Sequence, residues 1–162
     1  MNELSAMPHS MENAELTGSD AVLALAAAIR KRGNVFISKA LKRRGITDIL
    51  PAHGAVLHAL FAAGALRMQD IALRIGKRNN TVTGLINTLA ARGYCRRETD
   101  KRDGRAQMIS LTEKGERLRQ VYEDISRDLR QRMWVGIPAE DRDACADTLE
   151  AILRNLKTDA PE

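Results

Sequence analysis

Aromatic side chains are nearly missing from this chain of 162 residues: two Phe, two Tyr and one Trp make up 3% of it. A core with so few rings has to be aliphatic and alanine-rich, and Ala, Leu, Arg and Glu favour helices. Cysteine is scarcer still. Cys95 and Cys145 make no metal or disulfide pattern, which excludes a disulfide-stapled scaffold and fits a reducing cytoplasm. His53 and His58 are five apart, off one helical face, with no Cys, Asp or Glu at ligand spacing, so no metal is expected. A Gly-rich phosphate loop, a Ser/His/Asp order and a carboxylate pair in a polar pocket are all absent, so no enzyme is expected. The N-terminus lacks the basic start and apolar core of a signal peptide. The stretch from Ile49 to Leu66 is uncharged, but Pro51, His53, Gly54, His58 and Gly64 interrupt it. It reads as a loop and a buried helix, not a membrane span.

What is present is charge, unevenly placed. The net charge is +5. Residues 1–20 hold four acids and no Lys or Arg, and residues 118–162 are also net acidic. Residues 21–48 carry seven cations against one acid, and residues 66–117 twelve against six. A basic middle between acidic ends is the distribution expected of a nucleic-acid reader.

Residues 1–15 read as a weakly ordered N-terminus. From about Leu16 the apolar spacing becomes helical, through Val22, Leu25, Ile29, Phe36 and Leu41, with Gly33 as a possible kink and Gly45 as the stop. Pro51 suits the first turn of a second helix, 51–63, because its missing N–H is not needed there. Leu66-Arg67-Met68 reads as an extended link and 69–75 as a short helix ended by Gly76. In 79–93, Val82, Leu85, Ile86 and Leu89 fall on one face of a helix. Asn80, Gly84, Asn87 and Ala91 fall on the opposite face, flanked by Thr81 and Thr83. That face is small, polar and uncharged, where an ordinary solvent face carries charge.

The segment RRETDKRDGRAQMISLT, 96–112, follows. It reads as two strands, 94–99 and 106–111, joined at Asp103-Gly104, a turn dipeptide. Lys101, Arg102 and Arg105 stand at the tip. Thr112 is the expected N-cap of a long helix, 113–135, whose Leu118, Val121, Tyr122, Ile125, Leu129 and Met133 approximate a coiled-coil seam. Gly136 and Pro138 end it, and a last helix spans about 139–157. Helix, short helix, polar-faced helix and cation-tipped hairpin, in that order, make a winged helix-turn-helix. The major groove admits one helix, and Arg102 and Arg105 at the hairpin tip would reach phosphate or the negative minor groove. The competing readings are a merely solvated hairpin tip and a winged-helix protein-interaction module without specific DNA binding. Apolar faces on both the first and last helices favour a dimer.

The segment LRMQDIALRIGKRNNTVTGLINTLAARGYCRRETDKRDGRAQMISLTEKG, 66–115, resembles the MarR family of bacterial transcription regulators, and PAHGAVLHAL, 51–60, resembles the family's second helix. The resemblance implies a mainly α fold with a small β-hairpin: a winged helix-turn-helix over 49–112, an N-terminal dimerisation helix over 16–48 and C-terminal dimerisation helices over 113–157. It implies a cytoplasmic homodimer, a repressor gripping double-stranded DNA at a pseudo-palindromic operator and relieved by a small, often aromatic, ligand. Carried over by position, Asn79, Asn80, Thr81, Thr83 and Asn87 would be recognition-helix contacts. Lys77 and Arg78 would bind phosphate, with Arg102 and Arg105 as wing arginines and Asp103 as the wing acid. Arg67 stands where the family often has a Ser or Thr cap, and Lys101 replaces a frequent wing proline. Cys95 and Cys145 lie outside the position used by peroxide-sensing members, which weakens a redox reading.

Overall fold

The structure, a computed structural model, describes residues 21–99 and 106–157. Its elements in chain order are α1 (Val22–Arg43), α2 (Pro51–Ala63), β1 (Ala65–Arg67), α3 (Met68–Ile75), α4 (Asn79–Ala91), β2 (Cys95–Thr99), β3 (Gln107–Leu111), α5 (Glu113–Glu116), α6 (Leu118–Met133) and α7 (Ala139–Asn155). The expected flexible residues 1–15, the helix start at Leu16 and the wing tip fall outside the described residues.

α1 is one continuous helix through Gly33. Gly45, at φ 76°, stops it. The Gly45 N–H donates to Lys42 O and the Ile46 N–H to Leu41 O, each at 3.0 Å, which satisfies two carbonyls of the last turn. Gly76 ends α3 in the same way, in the left-handed conformation. α2 begins at Pro51 as the sequence predicts. Its cap Leu50 has no side-chain acceptor, so His53 closes the first turn from inside: His53 Nδ1 accepts the Leu50 N–H at 3.0 Å.

The sheet has three strands in the order β1-β3-β2, all antiparallel. Leu66-Arg67-Met68, expected as a link, instead gives a strand over Ala65–Arg67, with Leu66 opposite Ile109. Burial explains it. Leu66, Ile109 and Leu111 all point into the core, and pairing β1 on the free edge of β3 buries Leu66 while satisfying its backbone. Leu41, Leu57, Leu60, Ile71, Ile86, Leu89, Ile109 and Ile125 are fully buried together, joining α1–α4, β3 and α6 in one core. Burying each such side chain stabilises by about 1.5–3 kcal/mol.

The single helix expected over 113–135 is divided at Arg117 into α5 and α6, although Arg117 itself stays in the right-handed region. Thr112 does cap it, accepting the Gly115 N–H at 3.2 Å. Gly115 is there for closeness: a Cβ on it would lie 2.0 Å from the Tyr94 carbonyl oxygen. The coiled-coil seam is partly spent inside the chain. Leu118, Tyr122 and Ile125 are buried, so Tyr122 is a core residue, while Met133 is 45% exposed. α7 has no buried residue at all. Among the described residues no helix is long and apolar enough to cross a membrane.

Candidate nucleic-acid interface

α3 and α4 pack on α2 and on each other, and the turn between them carries Lys77 and Arg78, both exposed. Arg78 is the N-cap of α4, with extended backbone, and the first turn of α4 contains no acid. The unpaired N–H groups and the positive end of the helix dipole therefore add to two cations, a combination that attracts phosphate. Val82, Ile86 and Leu89 are buried beneath the helix. Asn79, Asn80, Thr81, Gly84, Asn87 and Ala91 are exposed, as their spacing predicts, and Thr83 is half-buried.

The outer face has its own chemistry. A Cβ built on Gly84 meets nothing within 4 Å, so no internal packing explains a glycine in mid-helix. The Thr83 hydroxyl donates to Asn79 O at 2.9 Å and the Thr88 hydroxyl to Gly84 O at 3.0 Å. Asn87 Oδ1 accepts from the Arg97 guanidinium, which links α4 to β2. Arg97 is a site residue the sequence reading misses; its signal is its place two residues after buried Cys95, on the same face of β2, opposite buried Ile109. Neighbouring Arg96 turns to Glu98, at 2.8 Å, and to Ser110 Oγ, at 3.2 Å. The wing residues Arg102, Asp103 and Arg105 lie outside the described residues, so the structure brings together the α4 residues with Lys77 and Arg78 only.

A junction at the end of α4 ties the winged unit to α5. The Tyr94 hydroxyl donates to Asp48 Oδ1 at 2.9 Å. Burial first, then that hydrogen bond, push the Tyr94 phenol up to about 12. Lys114 Nζ lies 4.0 Å above the Tyr94 ring and donates to Arg92 O at 2.8 Å. Thr112 Oγ1 donates to Gly93 O at 2.6 Å. Cys95 beside it is buried, with burial pushing its thiol pKa up, so it lacks the thiolate a redox sensor needs. Cys145 is exposed on α7.

Two concavities flank α1. One, of about 140 Å³, lies between α1, α2 and α6 and is lined by Ile37, Pro51, Gly54, Ala55, His58, Tyr122, Ile125, Ser126 and Leu129. The Tyr122 hydroxyl is buried without a hydrogen-bond partner, and the His58 ring meets the Tyr122 ring edge-on at 5.6 Å. The other is a wider groove of about 750 Å³ between α1 and the start of α2, with Arg30, Lys31, Lys39 and Lys42 on its rim. Burial lowers the pKa of both His53 and His58. Among the described residues no three His, Cys, Asp or Glu side chains gather as a metal site.

Residues 50–106 match the model of the MarR family. The chain is 26% identical over 105 residues to the uncharacterised HTH-type transcriptional regulator YwaE of Bacillus subtilis, a match covering 64% of this chain and 61% of the relative. It therefore spans less than two thirds of that relative's length. Among solved structures, the Staphylococcus aureus MepR–DNA complex superposes with a TM-score of 0.75 at 23% identity, covering 82% of this chain and 96% of MepR. Bordetella bronchiseptica BpsR, whose DNA binding is regulated by 6-hydroxynicotinic acid, superposes with a TM-score of 0.70 at 23% identity, covering 81% of this chain and 97% of BpsR. At that identity the likeness is one of fold, and it extends past the winged unit onto the flanking helices. Together with the motifs along 66–115, these matches show a MarR-type winged segment over residues 50–106 in a chain whose fold is that of the MarR regulators.

Proposed function

We propose that this protein is a homodimeric transcriptional repressor that binds duplex DNA sequence-specifically in the cytoplasm and is released by a small, aromatic effector. The observation that carries the DNA reading is the uncharged outer face of α4, open at Gly84 and opened by Lys77 and Arg78. A short-side-chained ridge with a cationic start fits a major groove between two phosphate walls. Asn79, Asn80, Thr81, Thr83 and Asn87 face the bases in this reading. Lys77 and Arg78 hold phosphate. Arg102 and Arg105 of the wing reach the adjoining backbone or minor groove, with Asp103 holding them in shape. MepR's capture on DNA supports it by likeness of fold. No step in this function is catalytic.

The dimer rests on surface left over. Leu23, Leu25 and Ile29 of α1 and Leu149, Leu153 and Leu156 of α7 are all exposed, at 43–73%. α1 is basic and α7 mostly acidic along their lengths, so a second copy covers apolar area and pairs charge at once. For the effector, the cavity under Tyr122 offers apolar walls, ring edges and one unsatisfied hydroxyl, and BpsR's regulation by an aromatic acid supports that class.

Selection of duplexes from a random pool, followed by footprinting, tests the reading. A symmetric protected site is expected, with half-sites about one helical turn apart. Affinity should fall with salt at a slope of about −0.9 per phosphate neutralised. A protein-docking wing would enrich no sequence, and that result overturns the proposal.

A further inference from the structure

One hydrogen bond limits what α4 can recognise. Arg97 of β2 donates to the side-chain oxygen of Asn87 on the exposed face of α4. A guanidinium carries donors only, so the amide has to turn its oxygen towards Arg97 and its NH₂ away. The amide orientation, which is otherwise ambiguous for Asn, is thus set by the chemistry of its partner. Asparagine ordinarily reads adenine with oxygen and nitrogen side by side on N6 and N7. With the oxygen drawn back to the strand and one of its two lone pairs engaged, that side-by-side pairing is disfavoured, and Asn87 leads outward with its NH₂ donors. Thr83, one turn earlier, is limited in the opposite sense. Its only hydroxyl proton is committed to Asn79 O at 2.9 Å, so it faces outward as an acceptor.

We infer that Asn87 is a specificity-determining residue that reads a base edge made of acceptors, guanine N7 and O6, and that Arg97 is the positioning residue that makes it do so. The inference rests on the DNA-binding reading above and adds the identity of the base. Arg97 works by orientation: its charge could meet a phosphate as well, but a phosphate contact changes affinity for all sequences alike. Orientation changes which base is preferred at one position of each half-site.

The test is the base profile of duplexes selected by the full-length protein and by two variants, with circular dichroism melts to confirm that each is folded. Both side chains are exposed, so neither change removes core. Wild type is expected to prefer guanine over adenine at one position per half-site by roughly tenfold. Arg97→Ala frees the amide to turn, and that ratio falls to about one while other positions keep their preferences. Asn87→Asp keeps the bond to Arg97 but exchanges the donors for acceptors, so guanine is lost there and cytosine, which offers an amino group, rises. A uniform fall in affinity with an unchanged profile in both variants overturns the inference while leaving DNA binding intact. Failure of the wild-type protein to enrich any sequence sinks the DNA-binding reading itself, and this inference with it.

Discussion

Replacing Gly84 with alanine separates the needs of the fold from those of the ligand, because the two push in opposite directions. Gly84 sits in the middle of α4. Glycine in a helix interior costs about 0.5–1 kcal/mol relative to alanine, mainly through the backbone entropy it loses on folding. A methyl group there meets no atom within 4 Å, so nothing offsets the gain. The folded chain should therefore be stabilised by about 0.5–1 kcal/mol, which for a chain of this size raises the melting temperature by roughly 2–4 °C per kcal/mol. In the proposed complex the same methyl group would stand between the α4 backbone and the groove and would force the helix outward.

Affinity for the selected duplex should then fall by about tenfold or more, equivalent to about 1.4 kcal/mol, while the melting temperature rises. Denaturant titration and a gel-shift titration of the same preparation read both quantities. A more stable protein with unchanged affinity would show that the ridge of α4 does not touch the duplex. A less stable protein would show instead that the Gly84 face is packed, against a second copy or elsewhere, and the placement of the interface on it would be wrong.

Other perturbations probe the frame around it. Gly115→Ala drives a methyl carbon to 2.0 Å from the Tyr94 carbonyl; the overpacking should cost about 3 kcal/mol, and a urea midpoint that moves by less than a third of that amount would contradict the contact. Tyr122→Phe removes a buried hydroxyl that has no partner, so it should stabilise the protein by about 1 kcal/mol and weaken any effector seated in the cavity; destabilisation would mean that the hydroxyl is satisfied. His53 is held below its ordinary pKa by burial first and by the Arg92 charge second. The unfolded chain thus takes up a proton before the folded one does: the stability is fully present above about pH 6.5 and is lost as pH falls from there towards the folded value. Urea titrations at pH 7.5 and 5.5 should differ in that sense, and less so in His53→Gln.

Much of the frame was legible because it is written in local chemistry. Pro51, Gly45, Gly76 and Thr112 mark ends that depend on a few adjacent residues, and the helix ends fall at them. The buried stripe of α4 follows from helical period alone. The third strand did not, because β1 is three residues long and exists only through its distant partner β3; no alternation is readable in Ala65-Leu66-Arg67. The break at Arg117 and the interior fate of Tyr122 are also tertiary. A seam of apolar residues at helical spacing states that something covers it, and does not state whether α2 or a second chain does so. At the candidate interface, residue types were readable but hydrogen-bond direction was not. Only with β2 laid beside α4 does Arg97 reach Asn87 and fix its amide.

The same frame offers a route from the cavity to α4 under the proposed effector control. Tyr122, which lines the cavity, belongs to α6, and its ring packs at 3.3 Å from where a Cβ on Gly54 of α2 would stand. Arg119, one turn earlier, donates to Phe61 O at 2.6 Å and so caps the end of α2. A ligand larger than about 140 Å³ has to part α6 from α2 to enter. α5 moves with α6, since only Arg117 lies between them. The α5 end has little slack: Gly115 fits against the Tyr94 carbonyl only because it lacks a Cβ, while Thr112 and Lys114 grip the carbonyls of Gly93 and Arg92. Those carbonyls terminate α4. Opening the cavity therefore pulls on the C-terminal end of α4, and in a dimer two such shifts add in the spacing between the recognition helices. Lys114→Met removes one of these grips while leaving the cavity untouched. It should leave effector binding intact and reduce the effector's influence on DNA affinity, measured as the ratio of DNA dissociation constants with and without effector. An unchanged ratio would show that the signal travels another way.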